Sequence, residues 1–468
     1  MAKLSRAVSR PDGVARKAER EWQRLCDVYL PIRPKRSIWR CSRKHRQDDP
    51  PQGWKIHISA TILSARSIFR VIAPYLKRRG ILFKAPKSLL ELQNLNAGIF
   101  YGFSQMGKFI TIYPPSTEVA LAIAPNLHRL TAKHSGPLVP YDKQLRSKSC
   151  VYYRYGSFSN VRVIFRGKRV DAISRPDGKL VPDLRKAGAA VPRWLTDPFT
   201  PAESRTELEP VTPLETDYTD YEALIQRGRG GIYQARDVSS VPARPCVIKE
   251  GRRHGETDWL GRDGFDRIKR ETQFLRSTSA VVPALPRIIT SFRANGCFYL
   301  VMERIVGRTL QQMLASRRRI SRRRMLNYCV SMAQIVADIH AAGWAWRDCK
   351  PANFLCQKNG KLRALDFEGA CRLHAMDPLL LRTSGYTPAG WRRKLIDPEA
   401  IDLYALGTSI MQVVGRSSSL NKLSSAFERE TKKHKFPSSF VKTIRSLRNA
   451  KSKVRPSARA AHFGLAKP

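Results

Sequence analysis

Trp346-Arg347-Asp348-Cys349-Lys350-Pro351-Ala352-Asn353-Phe354-Leu355, with Asp366-Phe367-Glu368 beginning thirteen residues after Asn353, decides how this chain reads. Asp348 can accept a hydroxyl proton and Lys350 can steady a phosphoryl group in transit. Asn353 and Asp366 can hold the magnesium ions that screen a triphosphate. An isolated Asp-x-Lys carries no information. These residue types at these intervals specify transfer of a phosphoryl group to a hydroxyl.

Working upstream, Pro245-Cys246-Val247-Ile248-Lys249 reads as a strand whose lysine reaches nucleotide phosphates. Glu271 lies on a helical pattern, where it can pair with Lys249 and aim the ammonium. Phe298 to Glu303 reads as the strand entering an adenine hinge, with Met302 behind it and Glu303 at the nucleotide. Asp402, downstream, is placed to brace the loop around Asp348. In this order and spacing the set resembles the protein kinases, which implies a bilobal fold, ATP and Mg2+. Ile225 to Tyr233 stands where the glycine loop belongs and offers Gly228 and Gly230, of which only Gly230 is in the family register. Trp346 replaces the histidine of His-Arg-Asp, and Glu368 the glycine of Asp-Phe-Gly. Neither change removes a group that touches phosphate or metal, so the reading is an active Ser/Thr kinase.

At 468 residues the chain exceeds one hydrophobic core, and two domains are expected. No apolar run approaches the roughly 18 to 20 residues of a membrane span, so no membrane partner is expected. Nine scattered cysteines without a Cys-x-x-Cys pair argue for reduced thiols and a cytoplasmic setting. The formal net charge of +47 suits nucleic acid, an acidic surface or an acidic peptide. The run Arg317 to Arg324 lies between two helical patterns without interleaved aromatics, which reads as a surface corner and speaks against a nucleic-acid partner.

Texture divides the chain. Residues 1–50 read as a basic segment with one amphipathic helix. Residues 51–199 alternate strands and helices in an α+β pattern. Residues 200–219 turn acidic and Pro-rich, as a linker would. Residues 220–462 carry the kinase-like motifs, and 463–468 form a tail. In the first domain Lys55 and His57 are two apart on one strand, so they share a face. Lys84 falls on a second strand, Lys108 on a third and Arg154 on a fourth. Four cations and an imidazole on adjacent strands suit a dianionic ligand such as a phosphoryl group.

The segments around Trp54 to Ala60, Gly107 to Pro114, Tyr153 to Phe158, Pro176 to Arg185 and Val191 to Phe199 resemble the class III and IV lanthipeptide synthetases. In that family a phosphothreonine-lyase-like domain precedes a kinase domain. The resemblance implies that Ser or Thr of a precursor peptide is phosphorylated, then loses phosphate to give dehydroalanine or dehydrobutyrine. It assigns Lys84 as base, with a pKa that neighbouring cations would depress. His57 becomes the acid, Lys55 the enolate stabiliser, and Lys108 and Arg154 the phosphate ligands. An acidic leader on the peptide would complement the basic surface.

The family's C-terminal cyclase has no counterpart after Arg455-Pro456-Ser457-Ala458. The expectation is therefore a separate cyclase, a linear dehydrated product, or a truncated remnant. Two other readings stand beside this one. A protein kinase whose N-terminal domain only binds phosphorylated substrate keeps the kinase motifs. A decayed, basic nucleic-acid-binding protein would show salt-sensitive DNA binding and no ATP turnover.

Overall fold

Strict alternation of apolar and polar residues makes Gln52–Ile58 the centre of an antiparallel sheet. The computed structural model describes residues 13–159, 161–186, 188–199, 212–316, 320–375, 383–388, 397–449 and 455–466. In it this sheet runs Trp39–Cys41, Leu82–Pro86, Ile110–Tyr113, Gln52–Ile58, Val151–Ser157, Lys143–Gln144 in spatial order. Ile56, Ile58, Phe83 and Ile112 point to one face. There they bury against Ile68, Phe69 and Ile72 of the helix Ala65–Arg78 and against Ile123 and Leu127 of Thr117–Thr131. The opposite parity faces away from these helices. Register aligns His57 with Thr111 and Tyr152, Thr111 with Lys84, and Lys55 with Arg154. Directly opposed residues of an antiparallel pair share a face, so this set stands together.

The second domain pairs a five-stranded antiparallel sheet with a helical lobe. The sheet order is Tyr218–Arg227, Gly230–Asp237, Arg244–Arg252, Cys297–Glu303, Ile288–Ala294. The helix Gly264–Thr278 packs on it, started by a capping box from Asp263. The helical lobe is built around Arg322–Ala341 and Pro398–Val414. A second hydrophobic core runs from Phe265 through Phe367 to Leu465.

Three expected boundaries shift. Residues 1–50 were read as a separate segment, yet Ala15, Ala18, Trp22 and Cys26 of the helix Gly13–Tyr29 are buried, and Trp39–Cys41 is an edge strand of the first sheet. The amphipathic helix is legible in the sequence, but its partner is not, since the stripe packs on residues roughly 45 to 90 positions away. Most of the expected linker, 200–211, lies outside the described residues. Its end belongs to the second domain, because Pro213–Thr216 is helical and Tyr218 is buried as the second sheet begins. Residues 463–466 complete the helix Ala458–Ala466, whose Ala461 and Leu465 join the core. Arg322 to Arg324 are exposed at the start of a helix, while 317–319 lie outside the described residues.

The domains meet at two loops of the kinase-like half. The Gly228 N–H donates to the Ala97 carbonyl at 2.9 Å. Trp259, just before the helix Gly264–Thr278, packs on the first domain's core. Trp22 tests whether the amino-terminal helix is integral. It is fully buried, lies edge-on to Phe69 at 4.9 Å, and donates Nε1–H to the Pro86 carbonyl at 3.1 Å. Trp22→Ala should destabilise the first domain by about 3–5 kcal/mol in urea unfolding of the full chain. An unchanged midpoint would place that helix outside the fold.

Candidate functional site

The cleft between the second domain's sheet and its helical lobe has a volume of about 520 Å³, and Gly230, Lys249, Asp348, Lys350, Asn353 and Asp366 line it. Lys249 Nζ lies 2.8 Å from both Glu271 oxygens and 3.3 Å from Asp366 Oδ1. Burial opposes charge on this lysine. The carboxylates of Glu271, Asp366 and Glu368 outweigh it and hold the pKa above the ordinary lysine value. Glu271 Oε1 also accepts the Phe367 N–H at 3.1 Å. Phe367 is buried, stacked on Phe274 at 4.6 Å and next to Trp346 at 5.3 Å. These contacts hold Asp366 toward the cleft.

Asp402 is fully buried and accepts the N–H groups of Trp346 at 2.7 Å and Arg347 at 2.5 Å. Arg347 and Asp366 sit at φ of 64° and 67°, conformations that non-glycine residues adopt at a cost of about 1–3 kcal/mol each. Such strain persists only where surrounding contacts impose it. The Trp346 indole supplies one of them, donating to the Asp366 carbonyl at 2.8 Å. The tryptophan in the histidine position therefore ties the catalytic loop to the segment around Asp366.

Lys350 Nζ lies 2.7 Å from Asp348 Oδ2 and 3.1 Å from Thr383 Oγ1, and Thr383 in turn approaches Asp348 Oδ1 at 3.3 Å. Burial raises the Asp348 pKa, with Asp366 adding to it and Lys350 opposing. Asn353 donates Nδ2–H to the Asp348 carbonyl at 2.9 Å and to Oδ2 at 2.7 Å, which leaves its Oδ1 for a cation. Burial works against the Asp366 carboxylate too, but Lys249, Arg229 and Lys350 hold it ionised with a pKa of about 2. Glu271, Asp366 and Glu368 place oxygens within 4.8 Å of one another. Glu271 is engaged by Lys249, and Glu368 by Arg229 at 3.2 Å. Asp366, a third exposed and looser on Lys249 at 3.3 Å than Glu271 at 2.8 Å, and Asn353 are the oxygen donors that could hold magnesium, and Lys249 is the cation that could meet a triphosphate.

Two expected nucleotide residues have other contacts in this structure. The Glu303 carboxylate pairs with Arg363 at 2.5 Å and accepts the Arg287 N–H at 3.1 Å, so a contact of Glu303 with nucleotide falls to its backbone. Gly228 is absent from the cleft lining. A Cβ there would sit 1.6 Å from the Asn96 carbonyl, so its bareness serves contact with the first domain. The motif reading passed over Thr383 and Arg229. Thr383 belongs to no fixed-interval motif, and Arg229 sits in a loop whose usual signal is its glycines.

In the first domain Lys55, His57, Lys108 and Arg154 are all less than a tenth exposed and gather around two carboxylates. His57 Nδ1 lies 2.6 Å from Asp142 Oδ2, Lys108 Nζ 3.4 Å from Asp142 Oδ1, and Arg154 Nη2 2.5 Å from Asp183 Oδ1. Lys108 precedes the strand Ile110–Tyr113 instead of lying on it, and the turn before that strand carries it to Asp142. Lys84 is the more exposed lysine. Its ammonium lies 4.9 Å from the Trp39 ring centre and 5.5 Å from Tyr113, and Lys55 approaches Tyr113 at 5.9 Å. Burial drives Lys55 down to about 7 against the pull of Asp183, with Arg154 and Lys84 assisting. Burial likewise takes Lys108 down to about 8 and His57 down to about 3, in both cases despite Asp142. His57 is therefore neutral, with Nδ1–H donated to Asp142 and Nε2 left as an acceptor. Asp142 and Asp183 were missed because a lone aspartate in a loop carries no sequence signal.

Among the described residues no helix is long and apolar enough to cross a membrane. The family model described as RamC, N-terminal domain, matches residues 31–210, and the protein kinase domain model matches residues 224–463. The chain is 30% identical over 384 residues to a probable SapB synthase of Streptomyces coelicolor, covering 79% of this chain and 40% of that protein. It is 30% identical over 161 residues to serine/threonine-protein kinase C of Synechocystis sp., covering 34% of this chain and 30% of that kinase. It is 25% identical over 216 residues to serine/threonine-protein kinase PknA of Nostoc sp., covering 43% and 38%. The chain thus spans about two fifths of the SapB synthase and less of the two kinases. With the kinase match extending over more than half of its length, the chain belongs to the protein kinase family, with a RamC-like domain ahead of the kinase domain.

Proposed function

We propose that this chain dehydrates Ser and Thr of a precursor peptide in two steps, phosphorylation in the kinase cleft and elimination on the first domain's sheet. The observation that carries the reading is the gathering of Lys55, His57, Lys84, Lys108 and Arg154 around one sheet face, in the same chain as a complete kinase cleft. The similarity to a probable SapB synthase of Streptomyces coelicolor fits a biosynthetic role.

ATP with Mg2+ supplies the phosphoryl group. Asp348 orients the peptide hydroxyl and accepts its proton, with Lys350 and Thr383 beside it. Asn353 and Asp366 hold the metal, and Lys249, aimed by Glu271, holds the phosphates. In the second step Lys84 removes the Cα proton, the Cβ–O bond breaks, and the electron pair forms the Cα=Cβ double bond. The departing phosphate takes a proton from His57 after the dianion has raised that residue's pKa. Lys55 as an ammonium stabilises the enolate, and Lys108 and Arg154 move from Asp142 and Asp183 to the phosphate. The basic surface suits an acidic leader, and ring closure would fall to a cyclase.

The reading that the first domain merely binds phosphorylated substrate gives a different product. With ATP, Mg2+ and a short Ser/Thr peptide, the unmodified chain should lower the peptide mass by ~18 Da per acceptor, whereas simple phosphorylation adds ~80 Da. Lys84→Ala should accumulate the heavier, phosphorylated peptide, and full dehydration by that variant contradicts the assignment. Asp348→Asn should lower phosphorylation by about 10²-fold or more in a radiolabelled phosphate-transfer assay. Transfer at the unmodified rate would remove Asp348 from the chemistry.

The Lys55 pKa of about 7 sets a pH dependence. Its charge is present below that value and is lost as pH rises through it. The kcat/KM for phosphate release from a phosphopeptide should therefore fall above about pH 7, and Lys55→Arg, which stays charged, should remove the falling limb. A pH profile that Lys55→Arg leaves unchanged would contradict the ammonium role.

A further inference from the structure

In the kinase-like domain the turn from Tyr218–Arg227 to Gly230–Asp237 is where a glycine loop would offer backbone N–H groups to phosphates. Here the Gly228 N–H of that backbone is engaged elsewhere. The Gly228 N–H donates to the Ala97 carbonyl at the end of the first domain's helix Leu89–Ala97, at 2.9 Å. The Arg229 carbonyl accepts the Arg252 N–H at 2.9 Å. Neighbouring backbone fits so closely that a Cβ on Gly264 would sit 1.8 Å from the Arg229 carbonyl, and one on Gly255 2.2 Å from that of Gly228. The tip of the loop is wedged between the two domains.

What the tip does present to the cleft is a side chain. Arg229 lines the cleft with Lys249, Asp348 and Asp366. Its guanidinium Nε is 3.2 Å from Glu368, and its Nη1 is 3.9 Å from Glu256. The side chain keeps 21% of its exposure, so it is accessible from the cleft. Glu368 is two residues beyond Asp366, which places this cation beside the expected metal and phosphate positions.

We propose that Arg229, held in place by the first domain through Gly228, is a nucleotide-phosphate ligand that takes over from the Gly228 N–H that this loop has committed to the domain contact. The inference rests on the kinase reading and adds a residue to it. A planar guanidinium can bind two phosphate oxygens at once, and it does so more strongly than neutral N–H groups. Glu368 and Glu256 neutralise Arg229 in this structure, and the nucleotide's phosphates compete with them for it. The second domain's nucleotide site is then complete only when the first domain is docked.

Calorimetric binding of Mg-ATP and of adenosine to the full chain separates this role from a structural one. Arg229→Ala should weaken Mg-ATP binding about tenfold or more and leave adenosine binding within about twofold, with Arg229→Lys recovering part of the loss. Equal losses for both ligands, or no loss for ATP, would overturn the inference. Gly228→Ala, whose Cβ must displace the Asn96 carbonyl, should reproduce the ATP-selective loss. Unmodified ATP affinity in that variant would overturn the claim that the first domain fixes the loop. Where Gly228→Ala does not fold, Arg229→Ala alone decides. An unmodified chain that binds adenosine and ATP equally poorly would instead overturn the kinase reading on which this one stands.

Discussion

The kinase-like half depends on one buried ion pair, Lys249 with Glu271 at 2.8 Å. Taking both charges out of water costs several kcal/mol per ion, and their attraction does little more than offset that cost. The return is positional. Glu271 ties the helix Gly264–Thr278 to the strand bearing Lys249, and it takes the Phe367 N–H at the same time. Phe367 is thereby seated between Phe274 and Trp346, and Asp366 is turned to the cleft. Removing either partner would leave the other charge buried and uncompensated and would free all of these elements together.

The first domain solves a harder electrostatic problem, since it gathers cations with few counter-charges. Asp142 and Asp183 are the internal compensation, and burial suppresses the remaining charge, most visibly at Lys55 and His57. A site arranged this way is poised for a dianion. On the proposed function, a phosphoryl group arriving there would restore the charged forms that burial disfavours, which would couple binding to protonation of His57. The two domains are also joined physically, through Gly228 and Trp259, at the loop and helix that frame the nucleotide cleft.

Much of this was legible in the sequence because its chemistry demands fixed intervals. The residues from Lys249 to Asp366 stand at the intervals that phosphoryl transfer requires, and the alternation around Lys55 and His57 gives the strand and the shared face. Other features depend on contacts distant in the chain. The helix Gly13–Tyr29 reads as amphipathic but not as part of the first domain's core, and Asp142 and Asp183 are single aspartates that the fold brings to the cations. Gly228 reads as a phosphate-loop glycine until the Asn96 carbonyl is seen against it. Lys108 misleads in another way, being brought to Asp142 by a turn and not by strand register.

The central claim is that phosphate is installed in one domain in order to be expelled in the other. The most direct test offers the full chain a synthetic phosphothreonine peptide with no nucleotide or magnesium, and follows inorganic phosphate together with peptide mass. The account predicts that phosphate is released and the peptide becomes unsaturated, having lost the elements of phosphoric acid. A peptide that stays phosphorylated, or that returns to free threonine, would contradict it.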